Sequence, residues 1–463
     1  MKILKPIETP YCIIPELFLF EGEGACYILN RKSGTGMMIN SALSHTLEIG
    51  NPSESFLGKL ISRGMTDTAV PDDTDVTGIN FFLIDMTGNC NFACKYCLRE
   101  PDIRSGRISL KMLDSILEKI TEYCRKHEEH YITIQPWGGE PLLEADKIIH
   151  IREKMNEIAP DILVNISIET NGSLITAELA KKLKQANISI GISIDGPKQI
   201  HNKNRVSLHG SPTYEEVCSG IRIMHDTGQD RIGSISVITK SHINSIPEIL
   251  NFFAKNFPGM SLKLNPMHSP GDSEEISDSV GVEDMPRFTR ILAESVIGLA
   301  REGIVVKEAN VITALRNLLY RDPDNICKSR GCQGGRKMII FDRQGDYYPC
   351  EMVDYPGEKL GNISDGRDLG DAVDAAAACN FYFKEKHKPE CDTCPWWYFC
   401  RGGCTSAMMY SNKEGVTVDE AGCAGTKTLY EILMELITDD PELAITITGN
   451  RQIRDVRKKS EQQ

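Results

Sequence analysis

The chain has 463 residues, of which 41 % are hydrophobic and 25 % charged, and a net charge of −13. That is an ordinary soluble composition, long enough for about three domains, and its acidity argues against nucleic acid as a partner. No apolar run approaches the ~18 to 20 residues of a membrane helix. The start, Met1-Lys2-Ile3-Leu4-Lys5-Pro6, lacks an apolar stretch of signal-peptide length, so a cytoplasmic location is expected.

Sixteen cysteines are too many for a reducing compartment unless many bind metal. Eleven fall into clusters: Cys90, Cys94 and Cys97; then Cys327, Cys332 and Cys350; then Cys391, Cys394, Cys400, Cys404 and Cys423. Cys124 sits on the apolar face of a predicted helix and reads as a small core residue.

In chain order, Ala25–Leu29 and Met37–Ile39 read as strands around the turn Lys32-Ser33-Gly34-Thr35-Gly36. Ser41–Glu48 reads as a helix capped by Asn40 or Ser41. Elements of this size suit a small winged-helix-like module over residues 1–76. Thr66–Asp75, polar and acidic with Pro71, reads as a linker.

From residue 77 to 320 strands and helices alternate. The predicted strands are Ile79–Asp85, Tyr131–Gln135, Ile162–Glu169, Ile188–Ile194, Ile232–Thr239 and Leu262–Asn265. Helical spacing marks Leu110–Arg125, Leu174–Lys184 and Tyr214–Thr227, and residues 283–320 read as helical. Six βα units in series predict an α/β fold with a parallel sheet, a partial (β/α)6 barrel. From 321 to 440 Gly, Cys and aromatics replace periodic segments, which suits a region held by metal. Residues 441–463 read as a charged tail.

After the first barrel strand comes Cys90-Asn91-Phe92-Ala93-Cys94-Lys95-Tyr96-Cys97, a C-x3-C-x2-C loop. Three thiolates on one loop hold three corners of a [4Fe–4S] cluster and leave the fourth iron open to a small molecule. A zinc site is the plainer alternative, but it usually wants four ligands. The loop sits where barrel enzymes place their chemistry, at the carboxyl end of a strand.

This loop resembles the signature of the radical S-adenosylmethionine (SAM) enzymes. The resemblance implies that the open iron chelates SAM, which is cleaved to methionine and a 5′-deoxyadenosyl radical. Trp137-Gly138-Gly139-Glu140-Pro141 resembles the family's GGEP motif, which implies SAM binding by Gly138, Gly139 and Glu140, the last receiving the amine. Tyr96, Ser193 and Asp195 are further expected cofactor contacts, Ser193 toward ribose, and Arg205 toward the SAM carboxylate. Val237 and Leu264 are candidates for an adenine pocket or, more simply, core.

The C-terminal cysteines are the most specific pattern. Cys332, Gly345 and Cys350 are followed by Cys391-x2-Cys394-x5-Cys400-x3-Cys404 and then Cys423, similar to the SPASM domain. The resemblance implies two auxiliary [4Fe–4S] clusters, one on Cys327, Cys332, Cys350 and Cys404, the other on Cys391, Cys394, Cys400 and Cys423. If Cys327 is not a ligand, the first has an open iron. Two zinc-ribbon-like sites are the alternative from C-x2-C spacing alone.

The resemblance therefore implies an enzyme with three clusters, an external electron donor such as flavodoxin or ferredoxin, and a peptide substrate. Two activities compete: maturation of a ribosomally made, leader-bearing precursor peptide, commonly by a thioether of the sactipeptide or ranthipeptide type, and oxidation of a sulfatase residue to formylglycine. Sulfatase maturases carry Asp where this chain has Glu351, a candidate base. The residues before the signature favour the precursor-peptide reading, in which such a module pairs a leader with a strand edge. Carbon–carbon or carbon–oxygen crosslinking and epimerisation remain open, as does a non-catalytic iron–sulfur or zinc scaffold.

Overall fold

Short apolar runs at the N-terminus make an antiparallel sheet. Its members are β1 (Lys2–Leu4), β4 (Leu17–Glu21), β5 (Cys26–Leu29) and β6 (Gly36–Ile39), in the order β1-β4-β5-β6; β2 (Ile7–Glu8) and β3 (Ile13–Ile14) form a separate pair. Two helices follow, α1 (Ser41–Glu48) and α2 (Glu54–Ser62). The Asn40 side chain caps α1 by accepting from Leu43 N, and Ser53 caps α2 through Phe56 N. Leu17, Leu19, Ile28, Phe56 and Leu60 close a core of their own. The computed structural model describes residues 1–9, 12–66, 78–97, 106–229, 232–267, 278–322, 325–328, 330–352, 358–377, 381–383, 386–410 and 417–449. Apart from Thr66, the expected linker lies outside these residues, as does Arg451–Gln463.

The central region alternates as expected: β7 (Phe81–Thr87), α3 (Leu110–Lys126), β8 (Tyr131–Gly138), α4 (Ala145–Ile158), β9 (Leu163–Thr170), α5 (Ala177–Gln185), β10 (Ile188–Ser193), α6 (Lys198–Asn204), α7 (Tyr214–Asp226), β11 (Ile232–Ile238), α8 (Ile246–Asn256) and β12 (Ser261–Pro266). Consecutive strands from β7 to β12 pair in parallel. Alternate residues bury against the helices, as Ile166 and Ile168 of β9, Ile190 and Ile192 of β10, and Leu262 and Leu264 of β12 do. Their half-buried neighbours Asn165, Ser167, Glu169, Ser189, Gly191, Ser193 and Lys263 face the other way, into the lumen. Cys124 is buried in α3 as a core residue.

Three expectations need correction. The helical stretch 283–320 is two helices, α9 (Met285–Arg301) and α10 (Ala309–Tyr320), separated by the edge strand β13 (Lys307–Glu308). Gly303, at φ 83°, turns the chain after α9 in a conformation that favours glycine. The sheet also exceeds six strands. β14 (Met338–Phe341) lies parallel to β7 at the opposite edge and continues antiparallel through β15 (Asp346–Tyr348) to β16 (Gly361–Asn362). The cysteine-rich region thus completes the central sheet instead of standing apart from it. Finally, the expected tail opens with α15 (Pro441–Ile447), whose Ala444 and Ile447 are buried.

Between β16 and α15 lie α11 (Leu369–Ala377), α12 (Trp397–Cys400), α13 (Thr405–Tyr410) and α14 (Glu420–Asp439). The N-terminal module docks here. Ala25 N donates to Thr438 O at 2.7 Å, Arg31 Nη1 to Cys391 O at 3.3 Å, and Tyr27 Oη to Leu318 O. Phe20 stacks on Trp396 at 5.4 Å between ring centroids. Among the described residues no helix is long and apolar enough to cross a membrane.

Candidate active site

The Cys90–Cys97 loop leaves the carboxyl end of β7 and is held along its length by backbone. Ala93 N donates to Val206 O at 2.8 Å and Lys95 N to Asn204 O at 2.9 Å, so the segment after α6 runs beside it. Cys97 N closes a turn on Cys94 O at 3.0 Å. Cys90 and Cys94 are half-buried and Cys97 exposed. Burial pushes the Cys94 thiol up to about 11, opposed by the Arg205 charge.

The two glycines of Gly138-Gly139-Glu140-Pro141 serve this loop. A Cβ on Gly138, at φ 141°, would stand 2.3 Å from Thr87 O, and one on Gly139 would stand 2.3 Å from Asn89 O. That approach lets Gly139 N donate to Thr87 O at 2.8 Å and Glu140 N to Asn89 O at 2.9 Å. Glu140 is buried and already accepts three hydrogen bonds: Oε1 from Leu142 N at 2.9 Å and Thr170 Oγ1 at 2.6 Å, Oε2 from Asn171 N at 2.8 Å. Burial raises its carboxyl pKa, and these donors oppose the shift. Asn171 in turn donates to Asn91 Oδ1 at 2.8 Å, tying β9 to the cysteine loop.

Tyr96, Asp195 and Arg205 come together. The Tyr96 hydroxyl donates to Asp195 Oδ2 at 2.6 Å, Val237 N donates to Oδ1 at 2.9 Å, and Arg205 Nε lies 3.1 Å from Oδ1. The Arg205–Asp195 contact is an ion pair without hydrogen-bond alignment. The Arg205 guanidinium also lies 5.3 Å from the Tyr96 ring centre. Asp195 is thus a fully buried clamp on Tyr96 and Arg205, while Ser193 is half-buried at the end of β10. Leu264 is core, while Val237 is half-buried.

The eight C-terminal cysteines sort into two groups. Cys391, Cys394, Cys400 and Cys423 line one cavity with Lys388 and Lys427. Cys332 lies close enough to raise the thiol pKa of Cys350, Cys404 and Cys327, and Cys404 that of Cys350. Cys327 and Cys404 are solvent-accessible yet surrounded by protein, as thiols lining a hollow are, and burial pushes them up to about 11 and about 12. Among the described residues no three His, Cys, Asp or Glu side chains converge on one metal ion. A four-iron cluster does not require that, because each thiolate takes a different iron. The Cys391 group around its cavity fits such a cluster. Glu351 Oε2 lies 3.1 Å from Cys350 Sγ.

Several residues of the site were not singled out from the sequence. Glu169 bonds Gln135 in the lumen, near the charges of Lys263, Glu351 and Arg205, and burial raises its pKa. Lys328 donates to Asn310 Oδ1 at 2.6 Å. The signal available was the polar alternation Asn165, Ser167, Glu169 inside an isoleucine-rich strand.

Residues 84–253 match the family model described as the radical SAM superfamily. The chain thus carries a radical SAM domain. It is homologous to the anaerobic sulfatase-maturating enzymes. The cysteine-type enzyme of Clostridium novyi (strain NT) is 26 % identical over 367 residues, 76 % of this chain and 94 % of that one. Among solved structures, native anSMEcpe with bound AdoMet and Cp18Cys peptide matches with a TM-score of 0.68 at 20 % identity, over 80 % of this chain and 99 % of that one. Streptococcus suis SuiB bound to precursor peptide SuiA matches with a TM-score of 0.52 at 14 % identity, over 88 % and 98 %. At these identities the structural likenesses are likenesses of fold. With the radical SAM assignment, the α/β fold with a mostly parallel sheet is as the sequence implies.

Proposed function

We propose that this radical SAM enzyme is a maturase of a ribosomally made precursor peptide, joining a cysteine sulfur to a carbon of the same peptide. The observation that carries the reading is the sorting of eight C-terminal cysteines into two groups of four, on a region that completes the barrel sheet. We assign that region to a SPASM domain with two auxiliary [4Fe–4S] clusters, and Cys90, Cys94 and Cys97 to a third. When bound, the clusters and SAM supply a hydrogen-abstracting radical and an acceptor for the electron left behind.

The chain's own residues orient and enclose. Glu140, Gly138 and Gly139 present backbone and carboxylate to the SAM amine, Ser193 meets ribose, and Arg205 meets the carboxylate while Asp195 and Tyr96 hold its guanidinium. Glu351, beside Cys350, takes the substrate proton. The N-terminal module, read as winged-helix-like, offers the sheet edges β1 and β6, unpaired among the described residues, to a leader peptide. A flavodoxin or ferredoxin supplies electrons in the cytoplasm. The relatives named as sulfatase maturases and the carboxylate at Glu351 favour formylglycine formation as the second reading.

Anaerobic incubation with SAM, dithionite and cysteine-containing peptides separates these readings by mass spectrometry. Loss of two hydrogens together with a thiol that resists alkylation indicates a thioether. A crosslink with free thiols indicates carbon–carbon or carbon–oxygen bonding, and no mass loss with an inverted centre indicates epimerisation. A hydrazide-reactive aldehyde on a sulfatase peptide would replace the proposal with the second reading.

A further inference from the structure

We infer that the barrel lumen seats an acidic side chain of the substrate peptide between Lys263 and Lys328, a specificity site that rests on the peptide-maturase reading. Lys263 lies on β12 between buried Leu262 and Leu264, so it points away from the helices and into the lumen. Lys328 reaches the same strand by another route. Its Nζ donates to Asn310 Oδ1 at 2.6 Å, and the Asn310 amide nitrogen donates to Leu264 O at 2.8 Å, one residue beyond Lys263.

Among the described residues neither ammonium group has a carboxylate within ion-pair distance. The nearby Glu308 carboxylate is occupied by Leu264 N, Val311 N and the Asn310 amide. A substrate carboxylate is the fitting partner for two ammonium groups set along one strand of the lumen.

Two glycines lie on the strands beside them. Gly191 on β10 pairs with Gly233 on β11 and with Glu169 on β9. A Cβ on either glycine would meet nothing closer than 3.6 Å. Neither has the positive φ that only glycine adopts easily. Neither backbone nor packing therefore demands glycine, although each costs about 0.5–1 kcal/mol against alanine inside a strand. Their missing side chains leave room between Glu169 and Lys263 for part of a bound peptide.

The test uses the reconstituted holoenzyme with SAM and fluorescein-labelled nonapeptide pools, random except for a central Asp or Asn, all amidated at the C-terminus. Fluorescence anisotropy should show the Asp pool binding about tenfold tighter or better, the size expected of a charge-assisted contact. Lys263→Met and Lys328→Met should bring the pools to parity, and Lys263→Arg should keep the preference. Iron content of each variant separates a lost contact from a lost cluster. A third pool, with central Asn and a free C-terminal carboxylate, distinguishes the other source of the same chemistry. Equal or absent binding of the Asp and Asn pools, an undiminished preference in Lys263→Met, or tightest binding of the third pool would overturn the inference. Peptide-independent cleavage of SAM to 5′-deoxyadenosine is read in parallel. Cleavage without an Asp preference defeats this site alone, whereas no cleavage defeats the proposed function beneath it.

Discussion

The Tyr96 hydroxyl, on the cysteine loop, donates to Asp195 Oδ2 at 2.6 Å, on the segment that follows the fourth barrel strand. Ninety-nine residues apart in sequence, the two are joined in a fully buried contact that also pairs Asp195 with Arg205. The loop that carries Cys90, Cys94 and Cys97 is therefore positioned by the barrel, not by its own turns alone. Asp195→Asn would leave the Arg205 guanidinium buried without its counter-charge. The expected loss of stability is about 3 kcal/mol or more, read as a lowered urea midpoint. Tyr96→Phe removes one hydrogen bond while Val237 N and Arg205 still serve the carboxylate, so its loss should be nearer 1 kcal/mol.

The glycines before Glu140 make a second prediction. Gly139→Ala places a methyl carbon 2.3 Å from Asn89 O, a backbone atom that cannot move without shifting the cysteine loop. About 2 kcal/mol or more of destabilisation is expected, together with reduced iron content assignable to the Cys90 loop. Full iron content and an unchanged melting temperature would show that the loop is not packed against these glycines.

A third prediction concerns pH. His201 is fully buried; its Nδ1 accepts from Asp195 N at 3.4 Å and its Nε2 lies 3.1 Å from Thr213 Oγ1. Burial, outweighing the pull of Asp195, lowers its pKa from 6.5 to about 4. The folded state therefore favours neutral His201. Its contribution is present above the unfolded value of 6.5 and is lost as pH falls toward 4. Between pH 7 and 5 the wild type should lose about 2 kcal/mol more than His201→Gln, in urea titrations at each pH. Parallel profiles would mean that His201 does not titrate in this way.

Much of the site was legible because its chemistry is local in sequence. The spacing of Cys90, Cys94 and Cys97, the Gly138-Gly139-Glu140-Pro141 turn and the Cys391–Cys404 run each lie within a few residues, and the barrel strands showed in their apolar runs. What escaped depends on distant pairing. Nothing local to Met338–Phe341 announces that it will run beside Phe81–Ile84. The chain turns after the last residue of β10, so the Asp195 carboxylate meets Tyr96 and Arg205, a pairing that no local pattern announces. Lys328 looks like an ordinary loop lysine until Asn310, eighteen positions earlier, fixes it beside β12.

The central claim is one radical site with two auxiliary clusters, and counting iron and sulfide in the anaerobically reconstituted protein tests it most directly. About twelve iron per chain are expected, falling by about four when Cys90, Cys94 and Cys97 are all changed to Ala, with the two C-terminal groups retaining theirs. Zinc in place of iron, or an unchanged iron count in the triple variant, would contradict it.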